Sequence, residues 1–295
     1  MIELVIPARD RSIGSMDVKR ILPYSKRRSI GPFVFVDQMG PLELVTDGSM
    51  DVLAHPHIGL ATVTYLFDGR MMHRDSLGTV QLIEPGEVNW MNAGRGIVHS
   101  ERSSDAGNAA GGELFGVQTW VAIPENKETG DPSFEHHGAA DPPETDADGV
   151  YFRVIMGELH GSVSPVNNWL EPLYAECRLA AGSTLELPRN VEERAVYILS
   201  GTVEIDGAEY SAGSLPVFSQ GSHAEVHGRE DCRLMVIGGP RLERPRYMWW
   251  NFVATSNDLI EQARSDWKQG NFDAIPNETG FVPLPEGNFP KPQPM

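Results

Sequence analysis

AHPHIGLATVTYLFDGRMMHRDSLG, residues 54–78, sets a short run of β-branched and aromatic residues between two glycine turns. The run from Ala61 to Phe67 leads into Asp68-Gly69, and a return run from Met71 ends near Gly78, which is the pattern of a β-hairpin. His55 and His57 stand at its head. On a strand alternate side chains share a face, so both imidazoles project to one side. If that side is a barrel interior, they form a pair of metal ligands. AGRGIVHSER, residues 93–102, supplies a second strand with the same spacing in His99 and Glu101. Three imidazoles and one carboxylate from two strands leave coordination positions open, which suits a divalent transition metal that also binds substrate or dioxygen. Pro56 between the two histidines fits a strand start or an edge strand, because it has no N–H to give to a ladder.

Around this hairpin the chain reads as all-β. Its 30 glycines and 22 prolines cut it into short runs such as those beginning at Phe33, Leu114, Tyr151, Ala195 and Cys232, as in a barrel or sandwich. One helix is predicted, in SNDLIEQARSDWKQG at residues 256–270. Leu259, Ile260, Ala263 and Trp267 share a face there, Ser256 or Asn257 caps the first turn, and Gly270 ends it. The halves echo one another: TYLFDGRMMHRDSLG (64–78) matches VYILSGTVEIDG (196–207), and each is followed by a glycine-centred turn, EPGEV or SAGSL, and one more strand. Two copies of one barrel are implied.

The polar, proline-rich segment 125–149 reads as a connection. The expected division is therefore a first barrel over 1–125, a linker over 126–150, and a second barrel with the helix over 151–295. His136 and His137 are adjacent, point to opposite sides of an extended backbone, and read as a solvated pair. Where the first half has HPH the second has Leu187-Pro188-Arg189, while His223 and Glu225 repeat the His99/Glu101 spacing. Half a site would hold metal weakly, so the second barrel is expected to be metal-free. His73 reads as a packed or hydrogen-bonded residue, and Arg95 either pairs with an acidic group or is a turn residue. Phe33, Phe35, Trp90 and Met91 belong to the barrel mouth or to its core.

The chain has 295 residues, 40% of them hydrophobic, with no apolar run near the ~18 that would cross a bilayer. The N-terminal MIELVIPARDRSIG lacks a basic region, and Glu3 and Pro7 break its apolar run, so neither a signal nor a transit peptide is read and a cytoplasmic location is expected. A formal charge of -17 opposes direct nucleic-acid binding. The one basic cluster, KRRS at 26–29, reads as a solvated loop. Cys177 and Cys232 are expected to be reduced thiols.

HPHIGLATVTYLFDGRMMHRDSLG followed by EPGEVNWMNAGRGIVHSE closely resembles the pirin family, a branch of the bicupin fold. RSIGPFVFVDQMGP (28–41), GVQTWVAIP (116–124) and MWWNFVATSNDLIEQARSDWKQGNF (248–272) extend the likeness over almost the whole chain. The resemblance implies two cupin-type β-barrels with a C-terminal helix and an Fe(II)-type site at His55, His57, His99 and Glu101, in the N-terminal barrel only. The donor set itself accepts iron, manganese, nickel, copper or zinc; an open site without thiolate favours iron over structural zinc. Quercetin-type flavonol dioxygenation, which some pirins show, would make this a mononuclear-metal dioxygenase taking a small aromatic substrate and O2. Glu101 would then be catalytic as well as a ligand, accepting the substrate hydroxyl proton. Other pirins are described as partners of transcription factors or metabolic enzymes, which implies instead a redox-sensitive regulator that binds a protein partner. Neither reading involves a membrane or direct contact with nucleic acid.

Overall fold

Strand follows strand through most of the chain, turned at glycines in the left-handed region such as Gly69 (φ 77°) and Gly201 (φ 81°). The computed structural model describes residues 1–14, 16–45, 47–108, 111–287, 292 and 294–295. It forms two compact units: residues 1–9, 19–36 and 140–242 make one, and residues 10–18, 37–139 and 243–295 make the other.

Each unit contributes a long sheet and a four-stranded sheet, and the two barrels repeat one another strand for strand. In the first, Val88–Asn92, Leu60–Asp68, Glu113–Ala122 and Phe33–Glu43 are successive neighbours in the long sheet. Val52–His57, Ile97–Arg102, Met71–Asp75 and Val80–Ile83 are neighbours in the short one. In the second, Ser214–Phe218, Glu193–Ser200, Cys232–Gly239 and Leu173–Leu179 take the same order in the long sheet, and Thr184–Glu186, Glu225–Gly228, Thr202–Ile205 and Ala208–Ser211 in the short one. The expected duplication is thus present in the fold.

The units interleave in sequence, which differs from the linear division expected. Strand Ile2–Pro7 pairs with Ser214–Phe218 of the second barrel. The segment read as a linker carries two strands: Ser133–His137 pairs with Val88–Asn92, and Glu144–Ala147 pairs with Val150–Met156. Both lie at sheet edges, where polar residues guard an open ladder, and that polarity is what resembled a linker. The helix Asn257–Gln269 falls with the first barrel. Its caps are as expected: Ser256 Oγ accepts from the Asp258 N–H, and Gly270 closes the end at φ 74°. Ile260 and Ala263 are buried against Ile58, Trp249 and Phe252.

The interiors diverge. Leu185, Val196, Ile198, Val203, Val226 and Leu234 belong to a continuous apolar core in the second barrel. Burying each such side chain stabilises the fold by about 1.5–3 kcal/mol. Counted back from Gly69 and Gly201, His55 corresponds to Leu187 and Thr62 to Arg194. The ladder through Leu185/Val226 and Glu186/Glu225 then places Ala224, not His223, opposite Leu187. The expected half-site is therefore corrected: His223 and Glu225 face outward, where His223 pairs with Glu225 at 3.2 Å and Glu186 at 3.5 Å. A slip of one residue exchanges the two faces of a strand. Arg194, fully buried, donates from Nη1 to the Pro188 carbonyl at 3.2 Å and from Nη2 to the Ser222 carbonyl at 2.8 Å.

The remaining expectations have plain structural places. Arg27 of the basic cluster pairs with Glu3 and Glu193, each at 3.0 Å. Phe33, Phe35, Trp90 and Met91 are buried core residues. Cys177 and Cys232 are free and buried, and burial pushes the Cys177 thiol up. Among the described residues no helix is long and apolar enough to cross a membrane.

Gly59 (φ 65°) follows the His57 strand so closely that an added Cβ would lie 2.0 Å from the Val253 carbonyl oxygen, whereas Gly207 (φ 76°) has open space. Gly59→Ala is expected to lower stability by on the order of 3 kcal/mol and Gly207→Ala by about 1 kcal/mol, compared by urea denaturation.

Candidate metal centre

Val52–His57 is the outer strand of its four-stranded sheet, which is where Pro56 is tolerated. It runs antiparallel to Ile97–Arg102 with His55 opposite His99. Beyond that pair the ladder slips by one, because Glu101 stands opposite Val52. The bulge leaves Leu53 and Ala54 facing Ser100 and re-aims the strand beside His55, a device common next to functional sites. Alternation then turns His55, His57 and His99 inward, with ligand nitrogens all within 4.8 Å of one another. All three rings are buried.

Backbone carbonyls set the tautomers. His55 Nδ1 lies 2.8 Å from the Leu53 oxygen and His57 Nδ1 lies 2.9 Å from the Asn251 oxygen. A carbonyl only accepts, so each Nδ1 carries the proton and each Nε2 presents a lone pair. The Asn251 carbonyl comes from the hairpin of Tyr247–Trp249 and Phe252–Ala254, whose turn holds Trp250 at φ 50°. A non-glycine residue there costs about 1–2 kcal/mol. Trp120 meets the His57 ring edge-on at 5.0 Å.

Burial lowers the His55 pKa to about 4 and holds His57 and His99 well below the usual imidazole value; neighbouring histidines reinforce this. At neutral pH the cluster is therefore a set of neutral imidazoles. His57 Nε2 and His99 Nε2 are 3.1 Å apart, and His99 Nδ1 is buried without a hydrogen-bond partner. Neutral nitrogens crowded together with few donors among them fit a divalent cation.

Glu101 is buried in the same barrel but is not one of the converging group. Its Oε1 accepts from the Thr64 hydroxyl at 3.1 Å, and Gln118 also bonds its carboxylate. Burial raises its pKa, while His73 and these hydrogen bonds pull the other way. His73 faces Glu101 across the ladder, bonds Asp75 at 3.1 Å and stacks on Phe134, so it is a packed, hydrogen-bonded residue as expected. Arg95 pairs with Asp131 in the open, where such a pair contributes at most about 1 kcal/mol. On an edge strand His136 is exposed and His137 half-buried; His136 Nδ1 lies 2.9 Å from Asn89 Oδ1.

Thr64 and Gln118 had a weak signal, since each is a polar residue inside a largely apolar strand, a trait they share with Thr62 and Thr119. The carbonyls of Leu53 and Asn251 had none, because every residue carries one.

The pirin family profile matches residues 15–121, and the profile of the pirin C-terminal cupin domain matches residues 174–273. A pirin-like protein of Caulobacter vibrioides is 44% identical over 97% of this chain and 100% of its own length. A Pseudomonas aeruginosa protein with the provisional name quercetin 2,3-dioxygenase is 35% identical over 90% of this chain and 84% of its own. Among solved structures, quercetin 2,3-dioxygenase from Acinetobacter baumannii superposes with a TM-score of 0.89 at 35% identity, covering 97% of this chain and 95% of that one.

Replacing the buried Glu101 carboxylate by an amide separates its structural cost from its use. Because burial raises its folded-state pKa, the ionised group costs stability at neutral pH. Glu101→Gln is expected to stabilise the metal-stripped protein by about 1 kcal/mol in a thermal melt at pH 7. Because Glu101 stands outside the converging nitrogens, the same change is expected to alter metal affinity by less than tenfold, read by calorimetric titration, whereas a larger loss would mark it as a ligand.

Proposed function

Because the chain belongs to the pirin family, we propose that it is a metal-dependent dioxygenase of flavonols such as quercetin, or of related enolic and catecholic aromatics. Its metal is held by His55, His57 and His99, with Glu101 as a further ligand or as the base. Iron(II) is the first assignment; manganese, nickel, copper and zinc suit the same donors. The observation that carries the reading is the convergence of three buried, neutral imidazoles, two of them oriented by backbone carbonyls. The likeness to the Acinetobacter baumannii dioxygenase supports the substrate class.

When bound, the metal would supply Lewis acidity toward an enolic oxygen and the electron-transfer chemistry that dioxygen needs. The chain does the rest. The Leu53 and Asn251 carbonyls hold the protons on Nδ1 of His55 and His57 and so leave each Nε2 lone pair available. Glu101, two residues beyond His99 on the same face, takes the substrate hydroxyl proton at a carboxylate oxygen. Its orientation toward Thr64 and Gln118 favours that role over ligation. Trp120 against His57 and the burial of the imidazoles keep water from the cluster.

Metal-stripped protein reloaded with Fe(II) without oxygen, then given quercetin and air, is expected to consume oxygen in step with the flavonol. Glu101→Gln should slow this on the order of 10²-fold or more, and His57→Ala should abolish it. No oxygen uptake over a panel of flavonols and catechols would overturn the enzyme reading. Independently, metal at a hundred times its dissociation constant should stabilise the wild type by about 2.7 kcal/mol in thermal melts. His57→Ala should show no such shift.

A further inference from the structure

The two strands that carry the imidazoles also have an outer face, and the C-terminal segment is built onto it. Ile275 packs against Ala54 and Val98. Phe281 forms a parallel bridge to Ala54, and the Val282 N–H donates to the Ala54 carbonyl at 2.8 Å. The Trp267 indole N–H donates to the Val282 carbonyl at 3.1 Å, tying this segment to the helix.

Between these anchors, Glu278 reaches the strand of His99 and Glu101 directly. Its Oε1 accepts from Ser100 Oγ at 2.8 Å and from Arg102 Nε at 3.0 Å, and its Oε2 pairs with the same guanidinium. Arg102 also reaches Asp51 Oδ2 at 3.4 Å, just before the strand of His55 and His57. Asp51 in turn accepts from the Ser104 N–H at 3.1 Å. Ser100 and Arg102 alternate with His99 and Glu101, so the carboxylate grips the outer side of the backbone whose inner side presents the ligands. Ser100 is also the residue opposite the bulge at Leu53 and Ala54, where the ladder slips. The Glu278 side chain is largely buried, so its hydrogen bonds face little competition from water.

We propose that Glu278 is a positioning residue for the metal centre: by clamping Ser100 and Arg102 it fixes the bulged pairing that brings His99 to His55. The inference rests on the metal-binding reading above. A tie that merely stabilised the fold would raise the melting temperature and leave the geometry at the ion unchanged. A positioning residue alters the ligand field. The two roles are therefore separable with cobalt, whose visible bands report coordination geometry.

The test uses full-length wild type, Glu278→Gln, Ser100→Ala and the double variant, each metal-stripped and titrated with Co(II). The wild type is expected to bind stoichiometrically with distinct visible bands. Each single variant should bind about tenfold more weakly with shifted bands, and the double variant should be no worse than the weaker single one, as for two partners in one contact. Should Glu278→Gln fail to fold, Ser100→Ala reads the same contact from its other side. Wild-type bands and affinity in the variants, or additive losses in the double variant, would overturn the positioning role while leaving the metal site intact. No Co(II) binding by the wild type would overturn the metal-binding reading and this inference with it.

Discussion

The antiparallel pairing of His55 with His99 is the constraint on which the rest of the first barrel depends. Once those residues stand opposite each other, the two-residue period commits His57 and Glu101 to the interior as well. The bulge that follows gives the pairing its local shape, and Leu53 within it supplies the carbonyl that sets the His55 tautomer. Such an interior is expensive. Three rings and a carboxylate occupy places where aliphatic side chains would each contribute about 1.5–3 kcal/mol, and burial without partners penalises polar groups further. The surroundings offset part of this through Thr64, Gln118, the Asn251 carbonyl and the apolar cover of Ile275 over Ala54 and Val98.

The second barrel shows what the same strands do without that burden. Leu187 and Ala224 face each other where His55 and His99 pair in the first, and Val196 stands where Thr64 holds Glu101. Its core is continuous. The apolar core of the first barrel gathers instead around Leu66, Ile83, Leu114 and flexible methionines, Met16, Met39, Met50 and Met71. Methionine fills irregular gaps well, which suits a barrel whose other positions are committed to polar residues.

What could be read from the amino acids alone was whatever is local and periodic. The hairpin at Gly69, the helix between Ser256 and Gly270, and the shared face of His55 with His57 and of His99 with Glu101 all follow from repeats of two or 3.6 residues. The likeness between the halves was legible for the same reason. Three things were not. The turning of Glu101 toward Thr64 depends on a residue 37 positions away in sequence. Edge strands at 133–137 and 144–147 resemble a linker because solvent-facing edges select linker-like residues. In the second barrel, spacing alone aligned His223 with His99, whereas the ladder shows that Ala224 holds that place. Spacing reports which residues share a face but not which face it is.

Arg194 extends the comparison. A guanidinium fixed to the backbone links the Pro188 and Ser222 carbonyls in the barrel where, among the described residues, no imidazole cluster occurs. A metal ion must be acquired, can be stripped by a chelator, and changes charge when it is oxidised. A positive group carried on the polypeptide does none of these. One half of the molecule thus offers a cluster of neutral donors that could take up a cation, while the other carries its buried positive group in the chain itself.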